Sequence, residues 1–131
     1  MTMEVNVIYK DSCLEKGKHK YIHEFIKFLN KNYPVKQSID VIFLGKRIGT
    51  MTTGSRNQKG EIKVLAKGRM MRDILRTLAH EWIHEYQLNV MGRKQGSDIG
   101  GINEDEANSI AAKLLKIFEK LHPDKEYMMY E

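Results

Sequence analysis

No proline or glycine interrupts the chain between Arg69 and Met91, and Gly68 and Gly92 bracket that stretch. Within it Met71, Ile74, Leu75, Leu78, Trp82 and Ile83 recur at three- and four-residue intervals, the spacing of one buried stripe on an α-helix. A helix over about 69–91 is therefore the element around which the rest must pack. It carries His80-Glu81-Trp82-Ile83-His84. Residues four apart on a helix point the same way, so both imidazoles can hold one metal ion, with the Glu81 carboxylate beside them. Zinc is borderline-soft, accepts nitrogen ligands in tetrahedral geometry, and in catalytic sites leaves a position for water, whose pKa then falls to roughly 7. Glu81 is the base that would take the proton of that water.

Two imidazoles alone hold zinc weakly, so a third donor is needed. A second periodic segment, with Ala107, Ile110, Ala111, Leu114, Ile117, Phe118 and Leu121, predicts a helix over about 102–121 that opens on Glu104-Asp105-Glu106. The glycine-rich connection over residues 91–101 is long enough to reverse the chain and bring that opening to the histidines. Ala107, Ala111 and Ala112 are small enough for the two helices to approach closely. Asn103 with Glu106 three residues on reads as a capping box. In that reading Glu106 caps and Glu104 is the third ligand, with Asp98, Asp105 and Glu106 as the other candidates.

His80-Glu81-Trp82-Ile83-His84, followed after nineteen residues by Glu104, resembles the gluzincin arrangement of thermolysin-type zinc metallopeptidases. The continuation from Glu104 to Leu115 is similar to the glutamate helix of minimal gluzincins and of ImmA/IrrE-type peptidases. The resemblance covers roughly residues 60–121, and the segment after Leu115 lacks the Met-Pro that often ends the ImmA/IrrE motif. It implies one zinc per chain held by His80, His84 and Glu104, with Glu81 as general base. Asn108 falls where the family usually has an Asp or Asn that contacts a zinc-bound histidine, a contact that orients the ring. Two related groups fit less well. Deformylases pair such a helix with a cysteine ligand, but Cys13 lies far upstream without their glycine-rich segment and reads as structural. SprT-like proteases, which act on DNA-bound proteins, take a histidine as third ligand, and only His122 lies downstream.

The 131 residues suit a single zincin-like domain over 1–131, able to bury roughly two-thirds of its unfolded surface. The N-terminal part, residues 1–68, reads as strand, helix, then strands. Val5, Val7 and Tyr9 alternate in a first strand, and Ile22, Phe25, Ile26 and Leu29 form the stripe of a helix ending before Tyr33-Pro34. Apolar β-branched and aromatic runs at 39–44, 48–53 and 62–66 predict three more strands, with the polar residues 54–60 as a loop. The fold class is α+β, a small, mostly antiparallel sheet packed against the active-site helix and the glutamate-bearing helix. In zinc peptidases of this shape the strand ahead of the metal helix is an edge that takes an extended substrate by strand addition. That strand is Glu61, Ile62, Lys63, Val64 and Leu65, whose other reading is an ordinary edge guarded by its charges. The tail Tyr127-Met128-Met129-Tyr130 reads as a cover for exposed core.

Net charge is +5, but the lysines and arginines are spread along the chain, so a nucleic-acid partner is not favoured over solubility. No apolar run is long enough to span a bilayer, the N-terminus lacks the features of a signal peptide, and one cysteine excludes an internal disulfide; these point to a cytoplasmic protein without membrane contact. The expected activity is zinc-dependent endopeptidase hydrolysis of a protein or peptide substrate. The other classes are a metal-containing binding module without turnover and a basic, nucleic-acid-associated protein or protease.

Overall fold

A computed structural model describes residues 3–94 and 101–131. Four strands and three helices follow one another as β1 (Val5–Tyr9), α1 (Lys16–Asn32), β2 (Ile39–Leu44), β3 (Gly54–Arg56), β4 (Glu61–Leu65), α2 (Met71–Glu85) and α3 (Ile102–Leu121). The helix of α2 runs on through a widened π-helical turn, Tyr86–Val90, and a 3-10 segment, Pro123–Tyr130, follows α3. No helix among the described residues is long and apolar enough to cross a membrane.

The class is α+β, but the sheet is mixed rather than mostly antiparallel. Its order is β1-β2-β4-β3; β1 and β2 run parallel, as do β2 and β4, and only β3 runs against β4. The reason is the connections. Parallel neighbours need a crossover, and α1 supplies one between β1 and β2, while residues 45–60 carry the chain back from β2 to β4. Register places Val7, Val41 and Ile62 in one row and Tyr9, Phe43 and Val64 in the next. That face, with the stripes of all three helices, makes the apolar core.

The third strand lies at residues 54–56, within the stretch that sequence patterning reads as loop, whereas residues 48–53 form no strand. Gly54, Ser55 and Arg56 have little intrinsic strand preference. Their pairing is set by the turn that follows, where Asn57 Oδ1 accepts from the backbone N–H of Lys59 and Glu61 (3.0 and 3.1 Å), and Gly60 adopts a left-handed φ of 85°. With β3 outside it, β4 is paired on both flanks. The expected edge strand Glu61, Ile62, Lys63, Val64 and Leu65 is thus interior, and β3 is the edge beside α2.

Every apolar position of the expected α2 stripe is buried, and Trp82 donates from Nε1 to the carbonyl of Tyr33 at 2.9 Å, pinning α2 to the end of α1. On α3 the buried set is Ala107, Ala111, Leu114, Leu115 and Phe118, while Ile117 and Leu121 face outward. α3 packs on α2, and of the three expected alanines Ala107 and Ala111 are buried, small enough for close packing, whereas Ala112 is exposed. In the tail Met129 is buried and Met128 packs on the core, with Tyr127 and Tyr130 exposed.

Candidate metal centre and active site

A turn of 100° per residue sorts the five residues His80 to His84 by environment. Trp82 and Ile83 enter the core, while His80, Glu81 and His84 stay half-buried, His80 and Glu81 lining a cleft between α2, α3 and the approach to β3. The two Nε2 atoms lie 3.1 Å apart. Glu104, in the first turn of α3, reaches across, its Oε1 2.8 Å from His80 Nε2 and its Oε2 3.0 Å from His84 Nε2. All three ligand atoms fall within 4.8 Å of one another. Nitrogens bound to one tetrahedral zinc at ~2.05 Å stand about 3.3 Å apart, so the imidazole pair is spaced for a shared cation. Two ring nitrogens and a carboxylate are a donor set suited to a borderline divalent metal, and His80, His84 and Glu104 fit one.

Of the other carboxylates considered, Asp105 is exposed on α3 and Asp98 lies outside the described residues. Glu106 lies outside the His80–His84–Glu104 group and is not a cap. Gly101 is the N-cap of α3 and no side chain caps it. Glu106 accepts instead from Arg93 (2.8 and 3.2 Å) and from Gln87 Nε2 (3.0 Å), and these donors hold its carboxyl below the ordinary range.

Gln87 is a site residue that sequence patterning misses. It is fully buried in the π-helical turn, its Nε2 donates to Glu106 and to the Asn103 carbonyl, and its Oε1 lies 2.9 Å from His84 Nδ1. With both neighbours of Nε2 able only to accept, Oε1 is left to accept from Nδ1–H. That fixes the tautomer of His84 with a bare Nε2 toward Glu104. The signal was present as a glutamine three residues after His84, one helical turn away, but its meaning depends on the widened turn. Asn108, one turn after Glu104, lines the cleft and is among the polar groups acting on His80.

Burial, followed by the charge of His84, lowers the pKa of His80 and favours the neutral, metal-binding ring. Burial also raises Glu81, from 4.5 to about 7, which leaves its carboxyl able to take and return a proton near neutrality. Space for that side chain depends on Gly54 of β3. A Cβ there would stand 2.5 Å from Thr77 Cγ2, 3.2 Å from Glu81 Cγ and 3.3 Å from Glu81 Oε2. Thr77 cannot easily turn away, because its hydroxyl accepts from Arg69 at 3.0 Å and a β-branched residue on a helix is stiff at χ1.

One turn past Glu81, the side chain of Glu85 is fully buried and accepts from Arg56 Nε (2.8 Å), Gln37 Nε2 (2.9 Å) and Asn89 Nδ2 (2.8 Å). This network fastens β3, through Arg56, to the metal helix. Cys13 is buried in the core and His122 packs against Phe118 near Glu24, so neither belongs to the cleft.

No family model matches the sequence, and no curated protein matches it. Two solved structures do: Wss1 from Saccharomyces cerevisiae, with a TM-score of 0.60, and a mutant of Wss1, with a TM-score of 0.59. Each is 14% identical to this chain over 89% of its length, and the match covers 92% and 94% of those chains respectively. At that identity the likeness is one of fold.

Proposed function

We propose that this chain is a zinc-dependent peptidase of gluzincin type that hydrolyses internal peptide bonds of a protein or peptide substrate. The observation that carries this reading is the convergence of His80 Nε2, His84 Nε2 and Glu104, from two helices, beside a carboxyl shifted to about 7. The fold shared with Wss1 agrees with a metalloprotease-like or SprT-like scaffold.

His80, His84 and Glu104 would hold one Zn2+ per chain, with the His84 ring oriented by Gln87. When bound, the cation supplies the Lewis acidity that makes water nucleophilic near neutral pH. Glu81 takes the proton of that water and hands it to the departing amine, a shuttle that needs a carboxyl titrating close to the working pH. The substrate lies extended along the free edge of β3, which borders the cleft at Thr53 and Gly54, held by backbone hydrogen bonds.

Metal analysis and peptide cleavage test the proposal together. One zinc per chain is expected, lost in His80→Ala, His84→Ala and Glu104→Ala but kept in Glu106→Ala. Glu81→Gln is expected to keep the zinc and lower turnover by roughly 10²–10⁴-fold. Undiminished cleavage by Glu81→Gln would rule out the base, and zinc retained by Glu104→Ala would rule out the third ligand.

A further inference from the structure

Among the described residues, the arginines of β3 and of the segment 69–93 divide into four with a partner and Arg76, which makes no ion pair. Arg56 is bound by Glu85, Arg69 by the carbonyls of Leu65 and Asp73 and by Thr77, Arg72 by Glu119, and Arg93 by Glu106. Arg76 makes none of the ion pairs found among the described residues, is exposed, and lines the same cleft as His80, Glu81 and Glu104. It stands four residues before His80 and eight before His84, so the three side chains leave α2 on one face. Among the described residues, no lysine and no other arginine lines the cleft.

Charge gives that position a consequence. Ionised Glu81 and Glu104 balance a bound dication, and the guanidinium of Arg76 then leaves the cleft net cationic. A guanidinium presents a planar fork of donors that matches a carboxylate. We propose that Arg76 makes this a carboxylate-reading cleft: it selects peptides that place a carboxylate, from an Asp or Glu side chain or from a free C-terminus, next to the bond to be cut. This rests on the peptidase reading for the word substrate, but the recognition itself is a binding property.

The test uses zinc-loaded full-length Glu81→Gln protein, with Arg76 or with Arg76→Glu, and matched peptides carrying a neutral dye. Each peptide is made with Glu or Gln beside the central bond, and with a free or amidated C-terminus. Fluorescence anisotropy is expected to show the carboxylate-bearing member binding roughly fivefold tighter at low salt, the preference shrinking as salt screens it. Arg76→Glu should abolish the preference. The Glu/Gln pair and the acid/amide pair identify which carboxylate is read. Equal binding of all four peptides, or a preference unchanged by Arg76→Glu, overturns the proposal. Digestion of the same peptides by the unsubstituted chain separates the two readings. A charge preference in binding with no cleavage sinks the peptidase and leaves the carboxylate subsite standing. Cleavage blind to charge does the reverse.

Discussion

Glu81 and Glu85 lie one turn apart on α2, both toward β3, and the protein treats them in opposite ways. Glu85 has no exposed surface and is met by three donors, among them a guanidinium whose side chain is only 5% exposed. Glu81 is half-buried, makes no ion pair among the described residues, and its carboxyl rises to about 7. A buried carboxylate met by three donors acts as a fastener. Glu81, desolvated and without an ion-pair partner among the described residues, remains able to exchange protons. The same strand serves both, with Arg56 closing over Glu85 and Gly54 leaving room for Glu81.

The contrast breaks most visibly when Glu81 loses its charge and Glu85 loses its cation. Glu81→Gln should cost turnover and, because a desolvated carboxylate opposes folding once ionised, should stabilise the metal-free fold at neutral pH rather than weaken it. Arg56→Ala should leave Glu85 buried without its cation and destabilise the fold by about 3–5 kcal/mol in urea unfolding. If Arg56→Ala unfolds at the same urea concentration as the parent, Glu85 is not held as described. A smaller effect is expected one step along the helix. Gln87→Met keeps the length of the side chain but removes the acceptor for His84 Nδ1–H, so zinc affinity should fall by roughly 10–100-fold in competition with a chromophoric chelator. Unaltered affinity would mean that His84 needs no such support.

The subtlest difference is one of pH. Glu81 must be ionised to act as base, so kcat/KM should fall as pH falls. A bound cation favours the carboxylate, which places that limb between the ordinary 4.5 and the raised value of about 7. A limb that tracks release of zinc rather than Glu81 would detach this residue from the profile.

Much of α2 and α3 is legible from residue order because helical periodicity is local. The spacing of Met71, Ile74, Leu75, Leu78 and Trp82 declares the buried face, and the side of the helix that bears His80 and His84 follows from it. The strand at Ile39–Leu44 is equally plain, since its β-branched and aromatic residues, unbroken by a polar residue from Val41 on, suit a pleated, packed surface. The edge strand is not. Gly54, Ser55 and Arg56 carry no strand pattern, and they pair because the Asn57–Gly60 turn and the Arg56–Glu85 contact hold them against β4 and α2. The roles of the acidic residues on α3 are hidden for a related reason. Capping chemistry predicts one use of Glu106 from its spacing to Asn103, but Arg93 and Gln87, brought in by the π-helical turn, claim it instead.

Residue order alone settled that two imidazoles share one helix face, with a carboxylate beside them and acidic residues opening the next helix. It did so because a 3.6-residue repeat converts spacing directly into direction. Which of those acids reaches the histidines, what orients His84, which strand forms the edge and which arginine comes to line the cleft were decided by tertiary packing. Each of these depends on where a group from a distant segment arrives, and no local periodicity encodes that.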